Sequence, residues 1–153
     1  MADDLMRFQR VLHVREVERE LTQIELTEKL GVEERIVKRI TEIREEKEGA
    51  LTAFCSGKDR LFSPQELWFE RQNLDVIEKH LDESHYQLKN CRVEIEKTKE
   101  VLLERHRDFR LMEQYVDKVK ERIHQQKLVV EQNGLDDITA MRYLRRIRGG
   151  TEV

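Results

Sequence analysis

The sequence predicts an all-α fold, a long two-helix antiparallel coiled-coil hairpin whose second helix is longer than its first. Three observations predict it. The 153 residues contain one Pro and six Gly, so helix breakers are scarce. Charged side chains make up 40% of the chain and apolar ones 38%, against about 25% and 45–50% in an ordinary globular domain. Finally, every seventh residue from Leu67 is apolar: Leu74, Leu81, Leu88, Ile95, Leu102, Phe109, Val116, Ile123 and Val130 follow it. A sustained seven-residue repeat keeps one narrow seam facing a partner helix, whereas a thick core needs a wider stripe.

The first helix is expected over about 5–54. Val14, Val17, Leu21 and Ile24, then Val32, Ile36, Ile40, Ile43, Ala50 and Phe54, recur at steps of three and four. Between Ile24 and Ile40 the steps are mostly four, which reads as a stutter that locally unwinds the supercoil. Gly31 lies in that stretch and marks either a bend or a tolerated glycine. Residues 55–63 form the turn, and so short a connection favours antiparallel neighbours.

The second helix is expected over about 64–133. Ser63 suits the N-cap, Pro64 the first helical position, and Glu66 completes a capping box. The companion register of the seam is looser, with Ile77, Ser84, Cys91, Thr98, Arg105, Met112, Val119 and Gln126. Asn133 and Gly134 read as a C-cap. A separate basic segment over 135–150 follows, with Ile138, Met141, Leu144 and Ile147 on one face and Arg142, Arg145, Arg146 and Arg148 on the other. The whole chain, 1–153, is expected to be a single coiled-coil domain.

Folding about residue 59 places Leu5 near residue 114. The seam residues Val116, Val119, Ile123 and Val130 then overhang the first helix, and an open apolar stripe normally faces another surface. A partner protein, a small shift of register or a homodimer would each cover it. The arginines point first to an acidic protein surface, and second to anionic lipid or nucleic acid. Phe54, Phe62, Trp68 and Phe69 cluster around the turn, either plugging its end or offering a docking residue.

Several functions are disfavoured. No apolar run exceeds three residues, so neither a membrane span nor a signal-peptide core is expected. Two cysteines, Cys55 and Cys91, make no disulfide framework, and a reduced cytoplasmic setting is the default. The 29 basic and 32 acidic residues are mixed along the chain, unlike a nucleic-acid footprint. Phosphate-binding, dinucleotide and zinc motifs are lacking, and Glu121 with His124 is one Glu-x-x-His where a bundle metal site needs two. No catalytic residue, metal or cofactor is expected.

Three stretches carry a family resemblance: Met6–Glu20 (Met-Arg-Phe-Gln-Arg-Val-Leu-His-Val-Arg-Glu-Val-Glu-Arg-Glu), Ile77–Leu88 (Ile-Glu-Lys-His-Leu-Asp-Glu-Ser-His-Tyr-Gln-Leu) and Leu135–Tyr143 (Leu-Asp-Asp-Ile-Thr-Ala-Met-Arg-Tyr). With the length and layout, they make nearly the whole chain resemble the FliJ family, small cytoplasmic components of bacterial flagellar protein export. The YscO family of injectisome type III secretion is related. The resemblance implies a non-enzymatic stalk, similar to the γ subunit of rotary ATPases. Such a stalk binds and stimulates the hexameric export ATPase through the end carrying both termini. It links the ATPase to the export-gate membrane protein, handles export chaperones, touches the membrane only peripherally and binds no nucleic acid.

On that resemblance Arg7, Phe8 and Arg10 would join the overhang and the arginine-rich tail at the ATPase. The gate-binding stripe would map onto Asn73, Ile77, His80 and Ser84, although spacing alone assigns Ile77 and Ser84 to the seam. Phe62, Trp68 and Phe69 would serve docking at the tip. A structural homodimeric coiled coil, or an injectisome stalk instead of a flagellar one, are the alternatives.

Overall fold

A computed structural model describes residues 2–56 and 63–150, and all of its regular structure is helical. Helix α1 is Ala2–Ser56, 55 residues, and α2 is Pro64–Gly149, 86 residues. The second helix is the longer, as its periodicity predicts. Phe62 and most of the expected turn lie outside the described residues.

The start of α2 follows from its cap. The Glu66 backbone N–H donates to Ser63 Oγ at 3.2 Å, and the Ser63 N–H donates to Glu66 Oε2 at 3.3 Å. Two amide groups that the first turn would leave orphaned are thereby satisfied. Ser63→Ala should cost about 1 kcal/mol of stability, read from chemical denaturation.

The end of α2 departs from expectation. The helix runs through Gly134 to Gly149, so the break after residue 133 and the separate terminal segment are not formed. No glycine among the described residues has positive φ, which the C-cap at Gly134 would have required. A glycine inside a helix costs about 1 kcal/mol, less than ending one helix and nucleating another. The Thr139 hydroxyl donates to the Leu135 carbonyl oxygen at 2.8 Å just beyond it. Gly31 likewise sits in unbroken helix, with open space where a Cβ would stand, and is a tolerated glycine instead of a bend.

The packing gathers into two units: Arg19–Glu104, and Met1–Glu18 with Arg105–Val153. In the first, Ile40, Ile43, Ile77, Leu88 and Ile95 are buried together with Thr22, Ser84 and Thr98. Contacts between the helices run in opposed order. Lys47 pairs with Glu78 at 3.2 Å, Glu33 with Arg92 at 3.1 Å, and Lys29 Nζ donates to Thr98 Oγ1 at 2.7 Å. The Cys91 thiol, half-buried, donates to the Lys29 carbonyl oxygen at 3.7 Å.

In the second unit Phe8 meets Tyr115 edge-on, with ring centroids 4.9 Å apart. Arg105 pairs with Glu18 at 2.7 Å, and Val116 is 1% exposed. The expected fold centre would have set Phe8 opposite residue 111. The observed register lies about one helical turn further along α2.

The covered positions of α1 correct the reading of its apolar face. One series of them is Leu5, Phe8, Leu12 and Arg15 in one unit, then Arg19, Thr22, Leu26, Lys29, Glu33, Ile36, Ile40, Ile43, Lys47 and Ala50 in the other, with Glu16, Glu18 and Gly31 half-buried beside it. These steps of three and four never break, so there is no stutter between Ile24 and Ile40. Val14, Val17, Leu21 and Ile24 are exposed, at 53%, 37%, 60% and 56%. They trail the covered positions by two residues, about 200° around the helix. A helix can turn only one side to its neighbour. The side carrying Leu26, Ile36, Ile40 and Ile43 wins, with Lys29 and Glu33 satisfied by Thr98 and Arg92.

Candidate functional site

Within the unit Met1–Glu18 with Arg105–Val153, the two helices hold each other as far as Ile123. Val119 and Ile123 are half-buried, as is Phe8. With Val116 they belong to the packed interior of the unit and not to an open seam, which removes three of the four expected overhang residues. The cause is the register: the first residues of α1 reach one turn further than folding about residue 59 allows.

An ion-pair cluster closes this packed stretch. Glu18 accepts from Arg105 at 2.7 Å and from Arg15 at 3.3 Å, and Arg15 lies 4.0 Å from Asp108. The Arg105 hydrogen bond, helped by the charges of Arg105 and Arg15, holds the Glu18 carboxyl below its ordinary value against an opposing pull from burial. A carboxylate depressed in the folded state stabilises fully above its unfolded pKa, 4.5, and that contribution fades as pH falls through the lower folded value. Glu18→Gln should therefore flatten the acid side of the profile of melting temperature against pH.

Beyond Ile123 the pattern changes. Every described residue of α2 from 124 onward is exposed. Among them are Leu128 at 49%, Val129 at 55%, Val130 at 69%, Leu135 at 64%, Ile138 at 50%, Met141 at 66%, Tyr143 at 65% and Leu144 at 59%. Arg142, Arg145, Arg146 and Arg148 are exposed on the same stretch, and so are Arg7 and Arg10 on α1. This helical end is apolar and basic together. The seven-residue count found Val130 in it but missed Leu128, Val129 and Tyr143, which fall off that count.

In the unit Arg19–Glu104 the expected gate stripe is not one surface. Ile77 and Ser84 are buried, at 4% and 9% exposure, while Asn73 and His80 are exposed. The His80 ring nitrogen Nδ1 lies 3.8 Å from Glu83. A helix face that fills a seam cannot also present those side chains outward. Trp68 and Phe69 are exposed at 57% and 66%, stacked edge-on with centroids 5.3 Å apart. Phe54 and Leu67 nearby are 37% and 41% exposed.

No group of three or more His, Cys, Asp or Glu among the described residues is placed to hold a metal ion. No helix among them is long and apolar enough to cross a membrane. Comparison with protein-family models, with curated proteins and with solved structures returns no match.

Proposed function

We propose that this chain is a non-enzymatic, cytoplasmic component of bacterial flagellar or type III protein export. It would form an antiparallel coiled-coil hairpin that engages the hexameric export ATPase with the end carrying both termini, stimulates it, and links it to the export gate and export chaperones. The observation that supports this reading is the end of α2. About seven turns of helix beyond Ile123 are exposed, and they carry apolar residues among arginines. A helix with that surface is suited to entering an acidic, partly apolar opening, where arginine also serves as an interface anchor.

The contact set is Arg7, Arg10, Val130, Arg142, Arg145, Arg146 and Arg148. Phe8, Val116, Val119 and Ile123 support it from within the packing. The gate contact would fall to the exposed Asn73 and His80, and tip docking to Trp68 and Phe69.

The test is turnover of the export ATPase titrated with the full chain and with a version ending at Gln125, which keeps every packed residue of the unit. Stimulation by the full chain that is lost on truncation is the expected result. Stimulation that survives truncation moves the contact elsewhere, and no stimulation by either form rejects the stalk.

A further inference from the structure

The exposed end of α2 carries charges of both signs around an apolar patch, and their arrangement is symmetric. Ile138, Met141 and Leu144 lie within one 120° arc of the helix and are 50%, 66% and 59% exposed. Asp137 and Arg145 belong to the same arc, one on each side of Met141 along the axis and equally far from it. Both are exposed, and neither forms an ion pair among the described residues. Asp137 and Arg145 of one chain stand about 12 Å apart along the helix, too far to pair with each other.

We propose that a second copy of this chain covers this face, antiparallel and centred on Met141. A two-fold axis there sets Ile138 against Leu144 of the other copy and Met141 against Met141. It also brings each Asp137 beside the other copy's Arg145. The patch is thus self-complementary in shape and in charge, which is what an isologous dimer contact requires. A uniformly acidic partner would repel Asp137 at this face, and a uniformly basic one would repel Arg145. The contact spans about two helical turns, well below the 1,200–2,000 Å² of a standard interface, so the dimer is weak and exchangeable. Arg142 and Arg146 project at least about 100° away from Met141, whereas Arg145 and Arg148 lie on the same side as Met141. The self-contact therefore competes with the ATPase for those two arginines and leaves Arg142 and Arg146 open.

Sedimentation velocity on the full chain alone tests this over a wide concentration range, independently of any ATPase. The weight-average mass should climb from 18.5 kDa toward twice that value as concentration rises. Asp137→Arg and Arg145→Asp each place like charges across the axis, and each should weaken self-association at least about tenfold. An equimolar mixture of the two variants should recover it, because each chain then meets its opposite. Circular dichroism on both variants checks that the helix is intact. A wild-type chain that stays monomeric throughout overturns the proposal. So do single variants that associate like the wild type, or a mixture that fails to recover.

Discussion

Ile95→Ala is expected to lower the unfolding free energy by roughly 2–4 kcal/mol, whereas Leu21→Ala or Ile24→Ala should change it by less than about 0.5 kcal/mol. Ile95 is 3% exposed, while Leu21 and Ile24 are 60% and 56% exposed. Shortening Ile95 removes buried methyl groups and leaves a cavity in a seam only two helices thick, which has little further packing with which to collapse. Leu21 and Ile24 contribute almost nothing that folding hides from water. Denaturant titration of the three variants decides between the two faces of α1. Equal losses at Leu21 and Ile95 would mean that the chain pairs through the apolar side of α1.

Val116→Asp should act more locally and about as strongly. The site is 1% exposed, so a carboxylate there loses nearly all of its hydration. Its burial costs about 3 kcal/mol or more, and the cheapest escape is to separate the helices where they meet. In the unit Met1–Glu18 with Arg105–Val153, Leu5, Phe8 and Leu12 of α1 are half-buried, and Phe8 meets Tyr115, the neighbour of this position in the chain. Hydrogen exchange should therefore show amide protection lost over the N-terminal turns of α1, with protection at Ile40 and Ile43 retained. Val116→Ala, which adds no charge, should give a smaller loss at the same amides. Unchanged protection near Phe8 would contradict the packing of Tyr115 and Val116 under the start of α1.

The two helices were unequally legible in the sequence. In α2 apolar residues and seam coincide, so counting by seven found Leu88, Ile95 and Val116, and the companion count found Ile77, Ser84 and Thr98. The capping box also stood in the sequence, because Ser63 and Glu66 need only each other.

In the later part of α1 the count by threes and fours found Ile36, Ile40, Ile43 and Ala50, but in its first half composition pointed the wrong way. Val14, Val17, Leu21 and Ile24 make a more apolar stripe than Arg15, Arg19, Thr22 and Lys29, yet the second set is covered. What decides is the fit to the other helix: Thr98 for Lys29, Arg92 for Glu33, Arg105 for Glu18. Those partners lie far away in the sequence and leave no local signal. The position of the exposed end followed from the register of pairing, which a periodic seam specifies poorly because a slide of one turn preserves most of its contacts. Gly134 misled for a simpler reason. A glycine that ends a helix and one that a helix absorbs look alike until the residues beyond are considered.

The unbroken passage of α2 through Gly134 has a mechanical consequence. Had the helix stopped there, the arginine-bearing end would hang from a joint, and a push on it would dissipate in that joint. As one hydrogen-bonded column, it behaves as a lever arm clamped at its base. A twist or sideways load applied around Arg142 is delivered to the clamp, where Phe8 abuts Tyr115 and Arg105 grips Glu18. Whatever grasps the far end therefore senses, and is resisted by, the packing at the start of α1.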